Sequence, residues 1–291
     1  MNGVICYLLI NRIPKLPKLA IESALQKTNA DIYVGYLNRS DLSELPTNPR
    51  IHLIDLKSQA LNKNLVPKTS DYISFDNNFF FQVVQLKWDL FQVVLSQTNA
   101  DFLVYLDVDV IVLKDLVAEF ANTFLAKNNV KVLAQDFTHN PSSPRLCMGV
   151  FAIRNQNSAS EFLKVCSQLH KSRLETNERF GDDDVITEVY DRSPESGSFG
   201  LLPQQSFPVG NLINLFLPFG ALRGLRPNLP FIYHANFVVG NQKKRLLLYL
   251  MNFLSNGEDF FEVVREYLAV SIRSLFNAFA RIFGRLGGFI K

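Results

Sequence analysis

The chain has 291 residues, 47% of them hydrophobic and 20% charged, and a net charge of +3. This composition excludes the disordered class and allows a core large enough to need neither disulfides nor a structural metal. Eight Lys and Arg against four Asp and Glu follow residue 240, so the tail is basic and the body nearly neutral, without the basic stripe of a nucleic-acid face.

In chain order, Val4–Ile10 is a short apolar run closed by turn formers and predicts a buried strand. Leu16–Gln26 carries a helical pattern (Leu16, Leu19, Ala20, Leu25), with Pro14 and Pro17 near its start. Asp31–Leu37 and Arg50–Leu56 predict two more strands, so the chain opens as an α/β sheet. Lys57–Asn78 is polar and reads as a loop beside a ligand. Phe79–Gln97 predicts one long helix, capped by Asp76 and Asn77, in which Trp88, the only tryptophan, belongs to the core. Phe102–Leu106 is an apolar strand running into Asp107-Val108-Asp109. Asp115–Lys127 reads as a helix, Val130–Ala134 and Val150–Ile153 as strands, and Ser158–Lys171 as a helix. Residues 191–230, rich in Pro and Gly, read as loops and minor strands, and from Gln242 the pattern is helical. The expected division is a domain over 1–240 and an amphipathic basic helical extension over 241–291.

The strongest chemical signal is Tyr105-Leu106-Asp107-Val108-Asp109-Val110. Strand alternation puts Asp107 and Asp109 on one side where a buried strand leaves the sheet, and ligands of open α/β sheets sit at carboxyl strand ends. Two hard carboxylates there suit Mn²⁺ or Mg²⁺ bound together with substrate phosphates. A strand ending in a solvated acidic turn is the plain alternative.

The run from Leu86-Lys87-Trp88 through Phe102 to Asp115 resembles the DxD segment of the nucleotide-diphospho-sugar transferase family, whose relatives include retaining galactosyltransferases and glycogenin-like enzymes. The resemblance implies an A-type glycosyltransferase fold, a Rossmann-like mixed sheet flanked by helices. It also implies transfer of a sugar from a nucleoside-diphosphate donor, UDP-linked, with retention, to a glycan, lipid-linked or protein acceptor. Under it Asp107, Asp109 and His234 hold the metal, and Gly240 and Lys243, in His234-Ala235-Asn236-Phe237-Val238-Val239-Gly240-Asn241-Gln242-Lys243, hold the diphosphate. Lys87, Val108, Asp136, Gly149 and, on position alone, Asn11 are the further substrate-binding candidates. Gly149 lets the sugar approach the backbone, while Cys147 and Met148 depart from the family's Asn-(Ser/Thr) pair. Gly181-Asp182-Asp183-Asp184 is similar to the family's Asp-Gln-Asp helix start. Asp182 then meets sugar hydroxyls, and Asp183 replaces a glutamine near the anomeric carbon, where a carboxylate can stabilise positive charge or attack.

Three other classes share parts of this pattern. A haloacid-dehalogenase-type phosphatase also carries an apolar strand before DxD, but earlier in the chain, and Thr176–Phe180 is too polar for its later acidic motif. A non-catalytic nucleotide-sugar binder fits the same residues. A nucleotidyltransferase needs a Gly-rich basic loop that Asn11–Lys18 lacks. Three widely spaced cysteines (Cys6, Cys147, Cys166) and a start unlike a signal peptide point to the cytoplasm. Residues 258–291 carry a broad aromatic and aliphatic face, with Arg273, Arg281, Arg285 and Lys291 at the basic end. Such a helix suits an anionic membrane surface, and packing on the sheet or on a second protomer is the alternative.

Overall fold

The computed structural model describes residues 1–10, 16–63, 65, 78–138, 143–176, 179–192, 196–209, 229–236, 244, 247, 248, 251 and 252. Its strands are β1 (Gly3–Leu9), β2 (Ile32–Tyr36), β3 (Ile51–Asp55), β4 (Phe102–Leu106), β5 (Val110–Val112), β6 (Val132–Asp136), β7 (Leu146–Arg154), β8 (Phe199–Leu201) and β9 (Ile232–His234). Its α-helices are α1 (Leu16–Lys27), α2 (Lys57–Asn62), α3 (Asn78–Val84), α4 (Leu86–Gln97), α5 (Leu116–Ala126), α6 (Asn157–Glu175) and α7 (Asp182–Arg192). Seven strands form one mixed sheet in the order β3-β2-β1-β4-β7-β6-β8, and β5 and β9 form a separate antiparallel ribbon. The sheet is parallel from β3 to β4, turns antiparallel at β7 and returns to parallel pairing between β6 and β8. This is the expected α/β architecture of mixed sheet and flanking helices.

The period of two in the central strands builds two cores. Val4, Cys6 and Leu8 of β1 and Leu103 and Tyr105 of β4 face Trp88, Leu90 and Phe91 of α4 and Leu163 and Cys166 of α6. Ile5, Tyr7 and Leu9, with Phe102, Val104 and Leu106, face Ala20 and Ile21 of α1 and Leu116, Phe120 and Phe124 of α5. β4 is buried at every residue, which explains its unbroken apolar sequence. All three cysteines are buried and free.

Several elements differ from the sequence reading. The expected helix over Phe79–Gln97 is two helices divided at Gln85, whose side-chain amide donates to the Gln82 carbonyl at 2.7 Å. At the joint the Trp88 N–H donates to the Gln85 carbonyl, three residues back, in place of a regular helical bond. Asp76 and Asn77, the expected caps, lie outside the described residues. The loop expected from Lys57 begins with the short helix α2, and the strand β5 has no forerunner in the sequence reading. Leu248 and Met251, assigned by sequence to the extension, are fully buried with Leu16, Leu19, Ile111 and Tyr233.

Two polar contacts cross these layers. The Trp88 indole N–H donates to His170 Nδ1 at 3.0 Å, and His170 Nε2 lies 3.0 Å from the Phe180 carbonyl just before α7. On the other face, buried Ser23 of α1 donates to the Ala20 carbonyl and accepts from the Val112 N–H of β5 at 2.9 Å, tying the ribbon to α1. Ser23→Ala leaves that buried N–H unpaired, a loss of about 1–3 kcal/mol. The urea midpoint should fall accordingly with the slope unchanged; an unaltered midpoint would show that the ribbon does not lean on this hydroxyl.

Candidate active site

The acidic motif leaves β4 through a turn. The Val110 N–H donates to the Asp107 carbonyl at 3.0 Å, which closes residues 107–110 into a β-turn, while the Asp107 N–H donates to the Gly149 carbonyl at 2.9 Å. β5 then pairs with β9 so that Val110 lies opposite His234, and the Ala235 N–H donates to the Asp109 carbonyl at 3.0 Å. One ligand atom from each of Asp107, Asp109 and His234 thereby lies within 4.8 Å of the other two. Asp107 and Asp109 do converge, but by a tight turn and not by alternation along a continuing strand.

The His234 ring is buried, with Nδ1 3.1 Å from Gln135 Oε1. Nε2 lies 3.4 Å from Asp109 Oδ1, within ion-pair range but without hydrogen-bond geometry, and has no hydrogen-bond partner. An unpaired ring nitrogen beside two carboxylates is a donor set that fits Mn²⁺ or Mg²⁺. Gly149 makes room for it. A Cβ built there would lie 2.1 Å from His234 Cε1, 2.7 Å from Nε2 and 3.2 Å from Asp107 Oδ2. The space is made by a bulge: Ala134 pairs with Phe151 but Gln135 with Cys147, leaving Met148, Gly149 and Val150 unmatched on β6. The missing side chain thus accommodates the imidazole, a use the sequence did not suggest.

Two lysines balance the carboxylates. Buried Lys87 lies 3.1 Å from Asp107 Oδ1 and forms a second, tighter ion pair with Asp182 Oδ2. The Tyr105 hydroxyl donates to the same Asp107 oxygen at 2.8 Å, and the Lys87 ammonium sits 4.5 Å from the Tyr105 ring centre. Burial by itself would lower the Lys87 pKa, but Asp107 and Asp182 hold it well above the ordinary lysine value. Lys244 pairs with Asp109 Oδ2. Burial opposes ionisation of Asp109, yet the Lys244 ammonium on Oδ2 helps to hold its carboxyl below the usual carboxylate range.

The start of α7 brings the second acidic group in. Asp183 Oδ1 accepts from the Met148 N–H at 2.5 Å, and Thr187 Oγ1 accepts from the Leu146 N–H at 2.9 Å, so α7 docks on the bulged end of β7. Burial first, then the Asp182 carboxylate, pushes the Asp183 pKa well up. Asp184 instead pairs with Arg145 at 2.9 Å.

Of the residues expected from sequence, Lys87, Asp107, Asp109, Gly149, Asp182, Asp183 and His234 are brought together by these contacts. Asp136 Oδ1 accepts from the Thr138 N–H, the Thr138 hydroxyl and the Arg145 N–H, closing the β6–β7 loop. The Val108 side chain packs on the α1–α5 core. Asn11, Gly240 and Lys243 lie outside the described residues. Tyr105, Gln135 and Lys244 were not foreseen. Tyr105 shares a strand face with Asp107 by the period of two, and Gln135 is an amide in an otherwise apolar run, so both had a faint signal. Lys244 stood hidden behind its neighbour Lys243.

The family described as nucleotide-diphospho-sugar transferase matches residues 51–248. No curated protein matches the chain. Among solved structures, the galactosyltransferase LgtC bound to donor and acceptor sugar analogues superposes with a TM-score of 0.55 at 14% identity, covering 84% of this chain and 95% of that one. Mouse xyloside xylosyltransferase 1 gives 0.52 at 12% identity, covering 81% and 98%. A Streptococcus pneumoniae glycosyltransferase, GlyE, gives 0.52 at 17% identity, covering 94% and 64%. At these identities the likeness is one of fold.

Gly149→Ala tests the packing of the site directly. The added methyl has to displace the His234 ring, and overpacking of this kind should lower stability by about 1–3 kcal/mol. Urea titration reads this, and a native midpoint in the variant would show that the ring moves freely.

Proposed function

Since the chain belongs to the nucleotide-diphospho-sugar transferase family and has the glycosyltransferase fold, we propose that it moves a hexosyl or pentosyl group from a UDP-linked donor using a divalent cation, Mn²⁺ or Mg²⁺. The family displaces the phosphatase alternative and the non-catalytic binder with it. One observation carries the metal reading: Asp107, Asp109 and His234 converge from three sequence positions, with His234 Nε2 buried and unpaired between them.

Asp107, Asp109 and His234 would hold the cation, which would supply Lewis acidity to the departing diphosphate. Around it, each residue has a proposed task. Lys244, now on Asp109, supplies positive charge for the phosphates, together with Lys243 and the Gly240 backbone. Lys87 and Asp182 form one charged pair that orients donor-sugar hydroxyls. Asp183, tethered by the Met148 N–H, is the carboxylate proposed to face the anomeric carbon, and retention follows from the family resemblance. Asp136, Val108 and Asn11 remain proposed donor contacts. The acceptor is a glycan, a lipid-linked sugar or a protein.

Asp109→Ala and His234→Ala should each lower Mn²⁺-dependent release of UDP from a sugar donor by at least about 10²-fold, since disturbing ligand support alone costs about 10–100-fold. Circular dichroism should show the fold intact. Near-native turnover of either variant at limiting Mn²⁺ removes that residue from the ligand set.

No helix among the described residues is long and apolar enough to cross a membrane. We place the enzyme in the cytoplasm, held to a membrane surface through residues 258–291, whose aromatic face and basic end support this. The full chain should co-sediment with anionic vesicles and a version ending at Asn256 should not. Equal, negligible binding of both overturns the attachment.

A further inference from the structure

Gln135 puts a fully buried amide into the sheet, next to the register shift of β6. A buried amide is tolerated only when its polar atoms are paired, and here the pairing has just one solution. Nε2 lies 3.2 Å from the Phe207 carbonyl and 3.1 Å from the Pro208 carbonyl. Carbonyls only accept, so the amino end must face them and Oε1 must face His234 Nδ1, 3.1 Å away. An amide oxygen also only accepts, so Nδ1 carries the imidazole proton. In the neutral ring the lone pair then belongs to Nε2, the nitrogen beside Asp109.

We propose that Gln135 is a positioning residue that locks His234 in the Nδ1–H tautomer, so that Nε2 is presented to a divalent cation as a ligand. The inference rests on the metal reading above. The other tautomer would put the proton on Nε2, facing Asp109 Oδ1. Nε2 would then have no lone pair to offer a cation. Gln135 therefore decides whether His234 is a ligand or a hydrogen-bond donor to a ligand. The Phe207 and Pro208 carbonyls, distant in sequence from both, fix the direction of the relay.

His170 supplies an internal reference. The Trp88 indole only donates, so His170 Nδ1 accepts and its proton sits on Nε2 against the Phe180 carbonyl. The two buried histidines should have opposite tautomers.

Long-range ¹H–¹⁵N spectra of the native, metal-free protein test this directly, since the chain has four histidines. In the neutral rings, His234 should appear as Nδ1–H and His170 as Nε2–H. Gln135→Met, close in shape but without the acceptor, should mix the His234 tautomers and bind Mn²⁺ about 10–100-fold more weakly by electron paramagnetic resonance titration. Native His234 found as Nε2–H overturns the proposal, and that measurement stands even if the variant does not fold. So does a folded Gln135→Met variant with native tautomer and native Mn²⁺ affinity; the metal reading then survives. If the native protein shows the expected tautomer but binds no Mn²⁺, the metal reading fails and removes this role with it.

Discussion

The site depends on the β5–β9 ribbon. Its three paired positions put Val110 opposite His234 and bring a late segment of the chain against the acidic turn that follows β4. Closing so long a loop costs entropy that grows only slowly with length. The buried cluster of Ile111, Leu113, Tyr233 and Ala235 with Leu16, Leu19, Leu248 and Met251 supplies the apolar contact that opposes this cost. The ribbon is thus a clamp closed by hydrophobic packing, and the convergence of Asp107, Asp109 and His234 is a by-product of its register. A slip of one residue would turn His234 to the opposite face of the ribbon.

Charge balance is the second constraint. Four acidic side chains, on Asp107, Asp109, Asp182 and Asp183, meet near two lysines, and Asp109, Asp182 and Lys87 are buried. Like charges at this density are tolerable only if each is neutralised locally or kept protonated. Lys87 spans Asp107 and Asp182, Lys244 covers Asp109, and burial raises the pKa of Asp183. Pairing inside the site thus holds these acids together.

Much of the architecture was legible in the sequence because it follows from local periodicity. The unbroken apolar runs Val4–Ile10 and Phe102–Leu106 read directly as central strands, since strands covered on both faces need no polar alternation. The acidic motif was legible for its chemistry, but the geometry bringing its two carboxylates together was not, because a turn and a strand look alike over three residues. Gln135 and Lys244 escaped for another reason. Their roles are set by partners far away in the chain, Phe207, Pro208 and Asp109, and no window of residues contains both ends of such a contact. The break at Gln85 likewise interrupts a helix whose hydrophobic pattern runs through unchanged.

The hydrogen-bonded chain from Trp88 through His170 to the Phe180 carbonyl joins α4 and α6 to the threshold of α7. Lys87 precedes the indole and Asp182 follows Phe180 by two residues, so both members of the central ion pair are anchored beside this joint. Because the chain has a single tryptophan, its indole emission comes from one known place. The molecule thus carries its own optical gauge. Any event that rotates α7 or draws Lys87 from Asp182 alters the surroundings of that one chromophore, without a label having to be attached.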